Sequence, residues 1–295
     1  MIFVKRIDCP EVLDLSNIES EAFKEYEKVI KYFMNNDRKF EFKAYSKGNV
    51  KEQLEVMFNN KCAYCESIIS NVSYGDIEHF RPKTAYHSID GETLKYPGYY
   101  WLAMDWNNLL LACDICNRSF KKNKFPLVDE SKRKKRHDDY VIEEPLLLDP
   151  SNDELNIQDY IYFTEEGIIK YKDGLGNKGH KSIENYGLYR PKLTETRKIL
   201  AKEIEDKKTQ ILGYLQTINT IISSPNPELY KDIIEICLRD LESVYTALKN
   251  ATLPSSPYLS LVRNLTTEFF KTKGDAIESL IAEYKEITNR KRIGV

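Results

Sequence analysis

The stretch CDICN at residues 113–117 repeats the Cys-x-x-Cys spacing of CAYC at residues 62–65, and a long insertion separates the two pairs. A Cys-x-x-Cys turn presents two thiolates on one side, and structural zinc takes four such ligands in a tetrahedron. Two pairs at the same spacing therefore predict one structural zinc that holds the ends of the insertion together, with free thiols as the alternative. The expected ligands are Cys62, Cys65, Cys113 and Cys116.

The composition is ordinary for a folded protein in water. The 295 residues are 41% hydrophobic and 31% charged, with a net charge of −2. No apolar run has the length of a membrane span, and the opening MIFVKRIDCPEV lacks the pattern of a signal peptide. We therefore expect a cytoplasmic protein without membrane contact. Because disulfides are rare in that reducing compartment, metal explains the two cysteine pairs better than disulfides do.

The insertion carries residues suited to phosphodiester hydrolysis, in the stretch IEHFRPK at residues 77–83. Hydrolysis with a divalent metal needs a base that activates water and oxygen ligands that leave the cation open positions. His79 suits the base, because an imidazole titrates near neutral pH. Glu78 suits the metal, because a carboxylate is a hard, anionic ligand.

Three stretches, IEHFRPK, NNLLLACDICN and KKNKFPL, together resemble the HNH endonucleases, which have the ββα-metal fold. The resemblance implies that His79 is the general base and that Asn108 orients the loop carrying it, with the neighbouring Asn107 as the alternative. It also implies that Glu78 and Asn117 bind a catalytic Mg²⁺ or Mn²⁺. The family often has Asp at the first of these ligand positions and His at the second, and this chain keeps an oxygen ligand at both.

A wider resemblance covers residues 55 to 200. It includes CAYCE, the aromatic YYWLAMDWNNLLLAC, EEPLLLDP and KSIENYGLYRPKL. These stretches are similar to the HNH proteins that accompany ATPases in bacterial anti-phage systems, such as Septu and certain retrons. The similarity implies a nuclease effector with an ATPase partner, acting on DNA or, as the alternative, RNA. A different class of function is a non-catalytic zinc module that binds nucleic acid or a partner protein.

A basic stretch follows the second cysteine pair. Nine Lys or Arg stand against Asp129 and Glu130 between Arg118 and Arg136, a local charge of +7. Such a patch suits contacts with backbone phosphates, whereas a solvated loop is the plain alternative. The residues expected to contact nucleic acid are Arg81, Lys83, Arg118, Lys121, Lys122 and Lys124.

The hydrophobic periodicity predicts an α+β, mainly helical fold. Three regions are expected: an N-terminal helical entry at residues 1–54, a zinc-containing HNH domain at 55–150, and a hairpin followed by a helical region at 151–295. The helices of the last region carry no recognisable chemistry, and they either close a bundle or dock a partner. The expected elements are helices at 17–34 and 49–59, a hairpin at 159–172, and helices starting near 193, 229 and 258, the last broken near Gly274.

Overall fold

A computed structural model describes residues 1–37, 40–69, 74–89, 92–172, 174 and 176–293, with side chains described to residue 286. The fold is α+β, as expected. Six α-helices and four strands lie in these residues: α1 (Glu21–Phe33), α2 (Val50–Met57), β1 (Asp76–His79), β2 (Leu109–Ala112), β3 (Ile161–Phe163), β4 (Ile169–Tyr171), α3 (Lys178–Asn185), α4 (Pro191–Ile222), α5 (Lys231–Asn250) and α6 (Leu259–Ile293). The strands form two small antiparallel sheets, β1 with β2 and β3 with β4.

The chain divides into two compact units. The N-terminal unit comprises Met1–Tyr162 and Ile169–Leu193, and the C-terminal unit comprises Phe163–Ile168 and the chain from Thr194 onward. All four paired cysteines and the IEHFRPK stretch lie in the N-terminal unit. Within the described residues, no helix is both long enough and apolar enough to cross a membrane.

Helix α1 begins at a capped turn and buries one face. The Ser20 hydroxyl accepts a hydrogen bond from the Phe23 N–H at 3.0 Å, which satisfies a backbone donor of the first turn. Val29 and Phe33 are buried on the inner face, and Phe33 stacks on Tyr100 at a centroid distance of 4.3 Å. The helix is shorter than the predicted span from residue 17, because the residues before the cap form turns.

Strands β1 and β2 bring the insertion against the cysteine pairs. They are antiparallel, with Glu78 opposite Leu110 and His79 opposite Leu109. All four residues of β2 are buried. The first cysteine turn joins the other edge of β2, where the Ala63 N–H donates to the Leu111 carbonyl at 2.8 Å. The second cysteine pair follows β2 directly and leads into a short π-helical segment, Ile115–Lys121.

The C-terminal unit contains most of α4 together with α5 and α6. The β3–β4 turn packs closely on α4, since a Cβ on Gly167 would lie only 2.6 Å from the Arg197 carbonyl oxygen, and Gly167 has φ +78°. The expected break at Gly274 is wrong, because α6 is continuous there and packs against the Tyr245 hydroxyl. Cys237 is buried in α5, as its position on the apolar face predicted.

The basic stretch is not uniformly exposed. Arg133 is buried, and its guanidinium donates to the Tyr99 hydroxyl and the Phe125 carbonyl, both at 2.6 Å, and to Glu130. It also lies 4.0 Å from the Tyr86 ring centroid. Lys132 and Lys135, in contrast, are exposed. Part of the stretch is therefore structural, and the positive charge that a ligand could contact is smaller than +7.

We expect Arg133→Ala to lower the free energy of unfolding by about 2–3 kcal/mol, because it leaves buried acceptors without their charged donor. Lys135→Ala, from the exposed part of the same stretch, is the control and should change it by less than about 0.5 kcal/mol. Both tryptophans of the chain, Trp101 and Trp106, lie in the N-terminal unit, so tryptophan fluorescence in a denaturant titration reports this unit. Equal stability of the two variants would contradict the structural role of Arg133.

Candidate metal centre and active site

The four paired cysteines converge on one point. Their Sγ atoms all lie within 4.8 Å of one another, and the Sγ atoms of Cys65 and Cys113 are 3.9 Å apart. A tetrahedral zinc with Zn–S bonds of about 2.3 Å requires Sγ–Sγ separations of about 3.8 Å, so small inward shifts complete the site. This four-cysteine cluster could therefore hold a metal such as zinc.

The surroundings of the cluster suit a bound cation and its thiolates. Burial raises the pKa of the Cys62 thiol well above its ordinary value, because a bare thiolate would be stranded away from water. A metal cation would offset that cost by binding the thiolate directly. Two donors also point at sulfur: the Cys116 N–H donates to Cys113 Sγ, and Arg190 Nη1 donates to Cys116 Sγ, both at 3.4 Å.

Tyr64, inside the first cysteine turn, connects the cluster to β1. Its hydroxyl donates to Glu78 Oε1 at 3.3 Å, and its ring stacks on Tyr186 at 3.9 Å with an interplanar angle of 13°. Both tyrosines are fully buried. The position of the Glu78 carboxylate thus depends on the turn that supplies two of the metal ligands.

Glu78 is also bound by a lysine that the sequence placed on the surface. Lys121 is fully buried, with Nζ 2.6 Å from Glu78 Oε1, and it donates to the His79 carbonyl at 2.9 Å. Lys124 is buried as well. The sequence analysis expected both Lys121 and Lys124 to contact nucleic acid. For Lys121 this expectation is wrong, because its ammonium is bound inside the protein and is not exposed to solvent.

The contacts of His79 identify its tautomer. Its Nε2 lies 2.8 Å from the Ala103 carbonyl, which can only accept, so Nε2 carries the proton and Nδ1 carries the lone pair. Nδ1 lies 3.2 Å from the Lys83 ammonium, and that ammonium lies over the Tyr45 ring at 4.4 Å. Burial, with Lys83 as the next cause, lowers the pKa of His79 well below its usual value. The imidazole is therefore neutral at neutral pH.

Asn108 holds the loop that follows His79. Its Oδ1 accepts from the Arg81 N–H at 2.8 Å, and its Nδ2 donates to the carbonyls of Arg81 (3.0 Å) and Leu102 (3.1 Å). The side chain is buried, whereas Asn107 is exposed. Of the two neighbouring asparagines, only Asn108 makes these loop contacts.

Asn117 lies beside the first residue of β1, at the other end of the strand from the loop that follows His79. Its Nδ2 donates to Asp76 Oδ2 at 3.0 Å. Arg118 also binds Asp76, with Nε 2.8 Å from Oδ2 and Nη2 2.5 Å from Oδ1. Asp76 is thus the shared acceptor of two residues that the sequence singled out, although Asp76 itself was not predicted as part of the site.

A cavity of about 280 Å³ joins most of these groups. It brings together three expected catalytic or metal-binding residues, Glu78, His79 and Asn117, and three residues expected to contact nucleic acid, Lys83, Arg118 and Lys122. Asn108 and Arg81 lie outside its lining, and Arg81 pairs with Glu143 at 2.6 Å. The cavity, called the His79 cavity below, is lined by Ile77, Glu78, His79, Pro82, Lys83, Thr84, Asn117, Arg118, Lys122 and Asn123.

Three contributors escaped the sequence analysis: Tyr64, Asp76 and Arg190. Asp76 left a signal, because it precedes Glu78 by two residues in a strand and therefore shares its face. The sequence around Tyr64 and Arg190 carries no such signal. No nearby pattern relates Tyr64 to β1, or Arg190 to a cysteine that is distant in the chain.

Comparison with known proteins gives a family. The chain is 43% identical over 292 residues to "Septu protein PtuB" of Bacillus mycoides (strain KBAB4), covering 99% of this chain and 97% of that protein. It is 34% identical over 118 residues to "Septu protein PtuB" of Bacillus thuringiensis, covering 40% of this chain and 36% of that protein. No family model and no solved structure matches. The chain therefore belongs to the Septu protein PtuB family.

Proposed function

We propose that this protein is a metal-dependent HNH endonuclease that hydrolyses phosphodiester bonds in nucleic acid. The observation that carries the proposal is the His79 cavity, where a neutral imidazole, a buried carboxylate and an asparagine line one space. His79 Nδ1 has the lone pair needed to take a proton from water, and Asn108 fixes the loop behind it. The order of elements supports the proposal, because the strand pair β1–β2 is followed by a short helical segment, Ile115–Lys121.

Glu78 and Asn117 fit a hard divalent cation. Tyr64 and Lys121 both contact Oε1 of Glu78, so within the described residues Oε2 is the oxygen available to a metal. Because Asn117 gives its Nδ2 to Asp76, its Oδ1 is the second available oxygen. A bound Mg²⁺ or Mn²⁺ would polarise the scissile phosphate and stabilise the leaving oxygen. The remaining coordination positions would be taken by water and phosphate, as is usual for Mg²⁺.

Lys83, which contacts His79, would make access of water to the His79 base depend on bound substrate. Lys83 lies against Nδ1, the nitrogen that has to accept the proton from the attacking water. A backbone phosphate offers that ammonium a stronger, charged partner. Substrate binding would therefore draw Lys83 from His79 to the phosphate and leave Nδ1 for the water. The exposed Lys122 adds positive charge at the same cavity.

The family suggests the biological setting. We propose that the protein acts in anti-phage defence as the nuclease of a Septu-type system, together with an ATPase partner, with DNA as the expected substrate and RNA as the alternative. Incubation of the purified protein with plasmid and Mg²⁺ or Mn²⁺, with and without EDTA, is the first test. No cleavage with either metal, alone or with the partner, would favour the non-catalytic zinc module instead.

We expect His79→Ala to keep its fold and its affinity for nucleic acid but to lose cleavage by about 10²- to 10⁴-fold, because the water loses its base. The control is His180→Ala, which changes an exposed histidine of α3 and should cut as the parent does. Cleavage is measured on plasmid, and folding by thermal melting and zinc content. Parental cleavage by His79→Ala would overturn the HNH assignment.

The four-cysteine cluster predicts one zinc per chain. Structural zinc sites contribute on the order of 10 kcal/mol in isolated finger peptides, so Cys62→Ser should lose the metal and give strongly destabilised or insoluble protein. Cys9→Ser is the matched control, because Cys9 is exposed and lies outside the cluster. Elemental analysis and thermal melting measure the two effects. A Cys62→Ser variant that melts as the parent does would contradict a zinc-dependent fold.

The exposed lysines of the basic stretch predict a salt-dependent affinity. Each phosphate contact on duplex DNA contributes about −0.9 to the slope of log affinity against log salt. Reversing Lys122, Lys132 and Lys135 to Glu should flatten that slope and weaken binding to all sequences alike. Reversing the three exposed lysines of α1 is the control and should leave the slope unchanged: Lys24, Lys28 and Lys31. Equal slopes for the two triple variants would assign the basic stretch to a solvated loop.

A further inference from the structure

Asp76 makes contacts that a surface carboxylate of a short strand does not need. It precedes Glu78 by two residues in β1, so the two side chains project from the same face. Its side chain is only 16% exposed, and it accepts from Asn117 Nδ2 at 3.0 Å. Arg118 binds it through Nε (2.8 Å) and Nη2 (2.5 Å), a bidentate pair that favours the ionised carboxylate.

The chemistry of this contact determines which end of Asn117 faces the His79 cavity. The two ends of a side-chain amide have nearly the same shape, so packing alone does not distinguish Oδ1 from Nδ2. An ionised carboxylate only accepts hydrogen bonds, so Asp76 selects Nδ2. Asn117 lines the cavity and Asp76 does not. The end of the amide directed away from Asp76, which is Oδ1, is therefore the end presented to the cavity that also contains Glu78.

We propose that Asp76 is a positioning residue for the divalent cation: it holds the Asn117 amide so that its oxygen, and not its NH₂ group, meets the metal. The inference rests on the proposed metal-dependent function and adds to it a residue that acts through Asn117. Without Asp76, the Asn117 amide could adopt either of two orientations. In one its oxygen faces the cation and binds it, and in the other its NH₂ group faces the cation and repels it. Partners behind a metal ligand commonly affect metal affinity by about 10- to 100-fold.

A carboxylate at position 117 tests the idea directly. Asn117→Asp presents an oxygen whichever way the side chain turns, so this background no longer needs Asp76 for orientation. Asp76→Ala should therefore weaken Mn²⁺ binding about 10-fold in the parent. In the Asn117→Asp background, the same change should weaken it less than about twofold, which makes the two substitutions strongly non-additive. A loss that came from charge alone, or from general destabilisation, would be the same in both backgrounds.

The experiment measures Mn²⁺ affinity by electron paramagnetic resonance on the full-length, zinc-loaded protein, for the parent, the two single variants and the double variant. Thermal melting and zinc content verify that all four are folded. The matched control is Asp114→Ala, which removes an exposed carboxylate three residues before Asn117 and should change Mn²⁺ affinity less than about twofold in either background.

Two results would overturn the positioning role. One is an unchanged Mn²⁺ affinity in Asp76→Ala, and the other is an equal loss in both backgrounds, which would mean direct ligation or a plain charge effect. A parent that binds no Mn²⁺ outside the cysteine cluster overturns the positioning role together with the metal-dependent function. A parent that shows the expected coupling but leaves plasmid and RNA intact overturns the nuclease function alone.

Discussion

The convergence of four thiols is the constraint on which the rest of the N-terminal unit depends. Cys62 and Cys65 belong to a turn, and Cys113 and Cys116 follow a buried strand, so one cation at their centre would join two distant parts of the chain. That closure places the first cysteine turn against β2 through the Ala63–Leu111 hydrogen bond. It also determines where the insertion between the pairs has to begin and end.

The same constraint extends to the candidate active site through Tyr64. A residue of the first cysteine turn contacts Glu78, and the neighbouring Lys121 contacts both Glu78 and the backbone of His79. The candidate catalytic groups thus contact buried partners, and such supporting contacts are what a precise site requires. The cost is a dense set of buried charges, which is stable only while each charge keeps its partner.

Much of the site could be predicted from short stretches. Residue type and spacing were sufficient to propose the four cysteines and the Glu78–His79 pair, because thiolates, carboxylates and imidazoles supply chemistry that few other side chains share. Asn108 was proposed only from the resemblance to the HNH endonucleases. The Septu part of the wider resemblance is confirmed by a relative that matches nearly the whole chain, whereas the HNH part stays a prediction. The break expected at Gly274 was wrong, since a glycine lowers helix propensity only weakly and tertiary packing overrides it.

The sequence by itself determined the donor set: thiols at matched spacing, a carboxylate beside an imidazole, and asparagines that follow them. Only the tertiary structure decided which charges are internal. Lys121 and Arg133 look like Lys132 and Lys135 in the sequence, yet the first two are buried against Glu78 and Glu130 while the others face water. The reason is physical: whether a cation is buried depends on acceptors that folding brings to it, and Glu78 reaches Lys121 only because β1 pairs with the strand that leads into the second cysteine turn.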